Sequence, residues 1–253
     1  MLDFYYFSQL RSYATLRHSI STKDTSYPYG FSLALHTKED TKAILKNRKL
    51  LFESFANESF HVVVANQTHS ANIHIVTIAK SQGWKTQKNA ISNCDALITN
   101  QKNIVLSILT ADCVPILLYD PIQEVIAAVH AGWRGTKEHI VSKTVKKMIE
   151  SFDSNAEDII AGIAPSIGQC CYEVGADVAI NFKHLPHAYT TKNDRFMLNL
   201  PKINQQQLCD IGVLSKNIEM SHICTSCEVE RFFSYRKEKK CSGRFMSTLV
   251  LIE

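Results

Sequence analysis

Between Asp95 and His130 the sequence runs through four apolar segments in close succession, "DALIT", "NIVLSIL", "VPILLYD" and "EVIAAVH". None alternates polar with apolar residues, so none suits a strand with one face in water. Runs this short and this apolar predict β-strands covered on both faces, with helices packed over them. Asp120-Pro121 separates the third run from the fourth as a turn. Two edges of these runs carry reactive side chains: Cys113 opens the third, and His130 closes the fourth.

Helices and strands are predicted on both sides of this block. "LHTKEDTKAILKNRKLLFESF", Leu35 to Phe55, reads as a helix with Thr37 as N-cap and Asp40 three residues on. Ile44, Leu45, Leu51 and Phe52 recur there near the helical period. "HVVVANQTH" is a β-branched strand that ends in a polar loop at Asn66 to Ser70. Lys80 to Asn93 is the most loop-like stretch. "KEHIVSKTVKKMIESF" is a helix with Ile140, Val141, Val145 and Met148 on one face. "DIIAGIAPSIG" is a strand entering a Pro/Gly loop, "PKINQQQLCDIG" a helix with Pro201 in its first turn, and "RFMSTLVLIE" a strand. No linker or repeat interrupts the mixture, which predicts one α/β domain over residues 1–253.

A chain that is 45% hydrophobic and 21% charged is globular in composition. Its net charge of +4 is dispersed among 24 acidic residues. The densest basic cluster, Arg236 to Lys240, contains Glu238 and reads as a solvated loop, so no nucleic-acid partner is expected. No apolar run nears the ~20 residues of a membrane span. Asp3 stands where a secretory leader has basic residues. A cytoplasmic protein with reduced thiols is expected.

By chemistry, His69, Cys113 and His130 are good zinc ligands, and three protein ligands leave a fourth position open. The same atoms also suit a Cys/His hydrolase, with Cys113 as nucleophile, His130 or His69 as base and Asp112 as orienting group. A lone strand cysteine is also an ordinary core residue. Spacing leaves these readings open. Arg134, ahead of a helix starting at about Gly135, could complete an anion site with Arg236 and Arg244. Trp133, Phe232, Phe233 and Tyr235 are core residues or a platform for an aromatic base. "CTSC", Cys224 to Cys227, has the spacing of half a zinc ribbon or a redox motif, but with no second C-x-x-C it reads as two free thiols in a loop, or one partly structural. Cys170 and Cys171 point different ways in extended chain, so a shared metal is not expected. Cys94, Cys170, Cys171, Cys209, Cys224, Cys227 and Cys241 belong to no open metal site and are expected to be dispensable for chemistry. His18, His36, His61 and His74 read as surface or strand residues.

In order, "NQTHS", "CDALIT", "TADCVPILLYD", "VHAGWRGT", "GIAPSIGQCCYEVG" and the tail "CTSC…FFSYRK…GRF" closely resemble the YfiH family. These are the laccase-domain or polyphenol oxidase proteins, also described as purine nucleoside phosphorylases. The resemblance runs from about Asn47-Arg48 onward. It implies a single α/β (α+β) domain of layered mixed sheets flanked by helices, similar to a cysteine-hydrolase-like fold. It also implies zinc on His69, Cys113 and His130. The implied activities are phosphorolysis of adenosine, inosine and S-methyl-5′-thioadenosine, and adenosine deamination, with purine nucleoside and phosphate as partners. Copper-dependent phenol oxidation and a Cys113-dependent hydrolysis of cell-wall precursors are the alternatives. Catalytic residues would then be Cys113, His130, Asp112 as proton shuttle, and Arg134, with Arg48 and Arg244 binding substrate. The sequence departs from the family pattern at Ser19-Ile20, Ser32, Asn199 and Lys237, which places the differences at the substrate rim.

Overall fold

Residues 2–55, 59–192, 195–239 and 243–253 are described by a computed structural model. All four apolar runs form strands, and every residue of those strands is buried. The second run, however, lies in a different sheet from the other three.

The five-stranded sheet comprises β1 (Phe4–Tyr5), β2 (Leu16–Ser21), β3 (His61–Val64), β6 (Ile104–Thr110) and β14 (Phe245–Leu251), in the order β1-β2-β14-β6-β3. Only β3 runs parallel to its neighbour. The six-stranded sheet is built from β4 (Ile73–Ile75), β5 (Ala96–Thr99), β7 (Val114–Asp120), β8 (Val125–Ala131), β9 (Ile160–Ile163) and β13 (Ile218–Met220). Its order is β13-β9-β7-β8-β5-β4, antiparallel in the middle and parallel at both edges. A small antiparallel sheet adds β10 (Glu173–Val174), β11 (Tyr189–Lys192) and β12 (Arg195–Leu198).

The both-face burial now has a cause. Leu106, Ile108 and Leu249 of one large sheet share a core with Leu97, Leu117, Tyr119 and Ile126 of the other. The alternate residues Val114, Ile116 and Leu118 face outward, against helices. Those helices are α4 (Ile140–Phe152), which buries the four residues expected, and α6 (Leu200–Asp210), through Ile203 and Leu208. On the opposite outer face, α2 (Thr41–Ser54) lays Leu51 over Val62, Val105 and Met246. The result is a mixed α/β domain in four layers, helix, sheet, sheet and helix. Each Leu or Ile sealed between layers contributes about 1.5–3 kcal/mol. The short helices are α1 (Ser8–Arg11), α3 (Trp133–Lys137) and α5 (Ala176–Ala179). Among the described residues, no helix is long and apolar enough to cross a membrane.

Several boundaries differ from expectation. Helix α2 is capped by Asp40, whose side chain accepts from Ala43 N at 3.0 Å. Thr37 instead donates to Glu39 Oε2 at 2.7 Å, so it is not the cap. His139, with φ 59, breaks the predicted helix between α3 and α4, and the first of these starts at Trp133, ahead of Gly135. Lys240 and Cys241 lie outside the described residues.

One end of the two large sheets gathers the reactive residues. Ala111–Cys113 is the crossing from β6 in one sheet to β7 in the other. The loop after β3 carries His69, His130 lies near the end of β8, and Asp95 immediately precedes β5. Strand directions put all four at the same end.

Candidate metal centre and its cavity

The ligand-type atoms of His69, Cys113 and His130 lie within 4.8 Å of one another. Cys113 Sγ is 3.7 Å from His69 Nε2, and the two imidazole rings meet edge to face at 4.9 Å. The residues are far apart in sequence and are joined by the fold alone.

Asp95, which sequence reasoning missed, organises them. Its fully buried carboxylate accepts from His130 Nδ1 at 2.7 Å. It also accepts from the backbone amides of Thr68, His69 and Ser70 and from the Ser70 hydroxyl. One carboxylate therefore sets the orientation of one imidazole and the backbone path of the other. Gln67 clamps the same loop to β6, donating to Leu109 O and accepting from Leu109 N, both at 2.8 Å. His69 itself has φ 61, a left-handed conformation that costs about 1–3 kcal/mol unless its surroundings enforce it. Gly132 leaves no alternative residue: an added Cβ would stand 2.8 Å from His69 Cδ2 and 3.2 Å from Cys113 Sγ.

Electrostatics follow the same geometry. Burial alone would raise the Asp95 carboxyl, but the hydrogen bond and charge of His130, helped by Ser70, hold it well below the carboxylate range. Burial likewise opposes charge on Cys113 and His130. Facing each other, the thiolate and the imidazolium overcome it, so the thiol falls and the imidazole rises. The donor set suits a borderline metal ion such as zinc: one ionised sulfur and two imidazoles. Asp95 on Nδ1 leaves Nε2 of His130 as the ligand atom, the usual arrangement around a metal-bound histidine.

The three donors line a cavity of about 550 Å³, a size suited to a small ligand. Arg134, Arg236 and Arg244 also line it, each stacked on an aromatic ring that lines it too. The guanidinium carbons lie 4.5 Å from the Trp133 ring centre, 5.4 Å from Tyr172 and 5.8 Å from Tyr235. Asp112 is the one carboxylate among the described lining residues. The cavity thus combines cationic forks with flat aromatic faces.

Two expected site residues are placed differently from their predicted roles. Asp112, at φ 86, does not orient either histidine. Its two oxygens accept from Thr225 Oγ1 and Arg236 N, both at 2.7 Å, and Asp95 takes the orienting position. Arg48 does not line the cavity. Its buried guanidinium donates to the carbonyls of Leu33, Gly83 and Trp84, which makes it a clamp between loops. Arg134 and Arg244 line the cavity, and so does His36, which had no expected partner.

None of the four departures from the family pattern lines the cavity. Ser19 bonds Thr248 across the sheet, Ser32 donates to Glu39, and Asn199 caps α6 by accepting from Lys202 N. Cys170 and Cys171 do not point different ways as expected of extended chain. A turn, with Cys171 N and Tyr172 N both donating to Gly168 O, swings the two thiols to one side, and both reach Cys227. A signal existed for Asp95 and Tyr172, which stand inside "CDALIT" and "GIAPSIGQCCYEVG"; for His36 there was none.

Comparison with known proteins places the chain in a family. Residues 13–252 match the family described as multi-copper polyphenol oxidoreductase laccase, a longer match than the start at Asn47 suggested. The chain is 34% identical to purine nucleoside phosphorylase YlmD of Bacillus subtilis, over 87% of this chain and 81% of that protein. It is 33% identical to adenosine deaminase RL5 of an unknown prokaryotic organism, covering 85% and 84%. The crystal structure of the hypothetical protein YfiH of Bacillus licheniformis superposes with a TM-score of 0.88 at 33% identity, covering 93% of this chain and 92% of the other.

Proposed function

This chain belongs to the multi-copper polyphenol oxidoreductase laccase family, the YfiH and YlmD proteins, and from that membership we propose that it is a zinc-dependent purine nucleoside phosphorylase. The observation that carries the reading is the pairing of three metal-type donors with three guanidinium–aromatic stacks in one cavity. Guanidinium forks match phosphate oxygens, and aromatic faces match a purine.

In phosphorolysis a phosphate oxygen attacks C1′ while the bond from C1′ to the base breaks. The electron pair leaves with the purine, which takes up a proton. Arg134, Arg236 and Arg244 hold the phosphate and offset its charge as it approaches the sugar. Trp133, Tyr172 and Tyr235 confine the base. Asp112 holds the Arg236 segment by accepting from its amide, and the proton taken up by the purine comes from the attacking phosphate or solvent. A zinc ion on His69, Cys113 and His130 would supply Lewis acidity at the coordination position they leave open. Thiolate and imidazole also hold copper, so metal analysis belongs to the test. Adenosine, inosine and S-methyl-5′-thioadenosine are the proposed substrates, with adenosine deamination as a second activity.

Purified protein incubated with adenosine, with and without phosphate, is followed for adenine, inosine and ribose 1-phosphate. Adenine and ribose 1-phosphate formed only with phosphate support phosphorolysis, and inosine in either case supports deamination. No turnover of any nucleoside by the metal-loaded protein would sink both.

A specific observation favours a second reading, a cysteine hydrolase. Asp95, His130 and Cys113 form a carboxylate–imidazole–thiolate chain, the arrangement of an activated nucleophile. A covalent adduct trapped at Cys113 during turnover of an amide substrate would support it over the first.

A further inference from the structure

Away from the cavity floor, four sulfurs converge on two loops. The Sγ atoms of Cys170, Cys171, Cys224 and Cys227 all lie within 4.8 Å of one another. We infer that these four cysteines bind a second metal ion, a structural zinc closed by four thiolates.

Geometry argues for a common centre over paired sulfurs. Cys227 Sγ lies 3.6 Å from Cys170 Sγ and 3.5 Å from Cys171 Sγ. A tetrahedral zinc with bonds of about 2.3 Å sets its sulfurs about 3.8 Å apart, so small adjustments bring all four into place. Each half of the cluster is a tight turn. Cys227 N and Glu228 N donate to Cys224 O, and Cys171 N and Tyr172 N donate to Gly168 O. Gly168 N donates to Cys224 Sγ at 3.2 Å, a backbone bond that favours the ionised sulfur. Gly168 also makes the approach possible: a Cβ there would stand 3.2 Å from Cys224 Cβ and 3.3 Å from Cys170 Sγ. On binding, the thiols release their protons to solvent, four metal–sulfur bonds form, and no electron is transferred.

The site has a structural purpose visible in its neighbours. Tyr172, beside one pair of cysteines, lines the cavity. Thr225, between the other pair, donates to Asp112, which also takes the Arg236 amide. A metal joining the two loops would therefore fix one wall of the cavity. Four sulfurs fill the coordination sphere and leave no position for substrate.

The inference does not depend on the reaction proposed above, and metal counting separates the two. Zinc is measured per chain in full-length protein purified under reducing conditions. The wild type is expected to hold about two zinc ions and the double variant His69→Ala/His130→Ala about one, retained in the cysteine cluster. In Cys224→Ser/Cys227→Ser that ion is lost. Should the cysteine variant not fold, the histidine variant refilled with cobalt(II) provides the reading. It is expected to show intense thiolate-to-cobalt charge transfer with the visible bands of a tetrahedral four-sulfur site. A histidine variant that holds no zinc, and whose four thiols react freely with Ellman's reagent, overturns the inference. An intact mass lowered by a disulfide between these cysteines in freshly reduced and repurified protein does the same.

Discussion

The two sulfur-bearing clusters share a donor chemistry but differ in what surrounds them. Cys113 and His130 stand at strand ends and His69 in a loop beside them, a buried carboxylate binds one imidazole, and the group opens into a cationic cavity. The four cysteines stand on turns, their sulfurs supported by a backbone amide, with Cys170 and Cys227 exposed. Three donors backed by a carboxylate leave room for a reacting molecule; four sulfurs on loops leave none. Coordination number and support, more than the identity of the donors, separate a centre suited to chemistry from one suited to holding loops together.

Asp95→Ala breaks this comparison at its strongest point. It strands a buried imidazolium and several amides, so a loss of about 3–5 kcal/mol in urea unfolding is expected, together with the zinc of the histidine site. Unchanged stability would show that the carboxylate is not the organiser. His18 provides an acid-dependent test outside both clusters. Buried His18 accepts from Phe7 N and is held down to about 4, by burial first and then by the charge of Arg11. Because the unfolded imidazole titrates near its ordinary value, the unfolded chain binds the extra proton between about pH 6.5 and 4. The contribution of His18 to stability should fall by about 3 kcal/mol as the pH drops across that window. His18→Asn should flatten that part of the pH profile of unfolding.

Smaller effects sharpen the contrast. Gly132→Ala drives a Cβ into the His69 ring and should weaken zinc binding at that site by about tenfold to a hundredfold in chelator competition. Gly168→Ala meets looser contacts and should weaken the cysteine site by less than about tenfold. Between them falls Arg134→Ala, expected to lower kcat/KM by about tenfold or somewhat more, with zinc content and unfolding unchanged. Unchanged turnover would leave the anion to Arg236 and Arg244.

Much of the layering was legible because continuous apolar runs permit few alternatives. What covers them was less so. A helix and a second sheet bury a strand equally well, and sequence alone does not distinguish them for β6. Chemistry singled out the three donors, but only the family resemblance selected zinc, since their spacing also fits a hydrolase or a core. Asp95 escaped because its partners, His130 and the Thr68–Ser70 amides, meet it only across the sheet end. Cys170 and Cys171 misled through an assumption of extended chain, which the Gly168 turn removes. Arg48 misled because a guanidinium attracts carbonyls as readily as phosphates, and the three it found come from distant loops.

Strand β14 lies in the middle of its sheet, paired with β2 on one side and β6 on the other, yet among the described strands it is the last to be synthesised. During translation, β2 and β6 must therefore wait with open edges while more than a hundred intervening residues emerge. Such edges invite pairing with other chains and recruit chaperones. The delay also ties activity to completion, because Arg244 of the cavity immediately precedes that strand. A ribosome that stops before Phe245 leaves β2 and β6 without the strand that joins them.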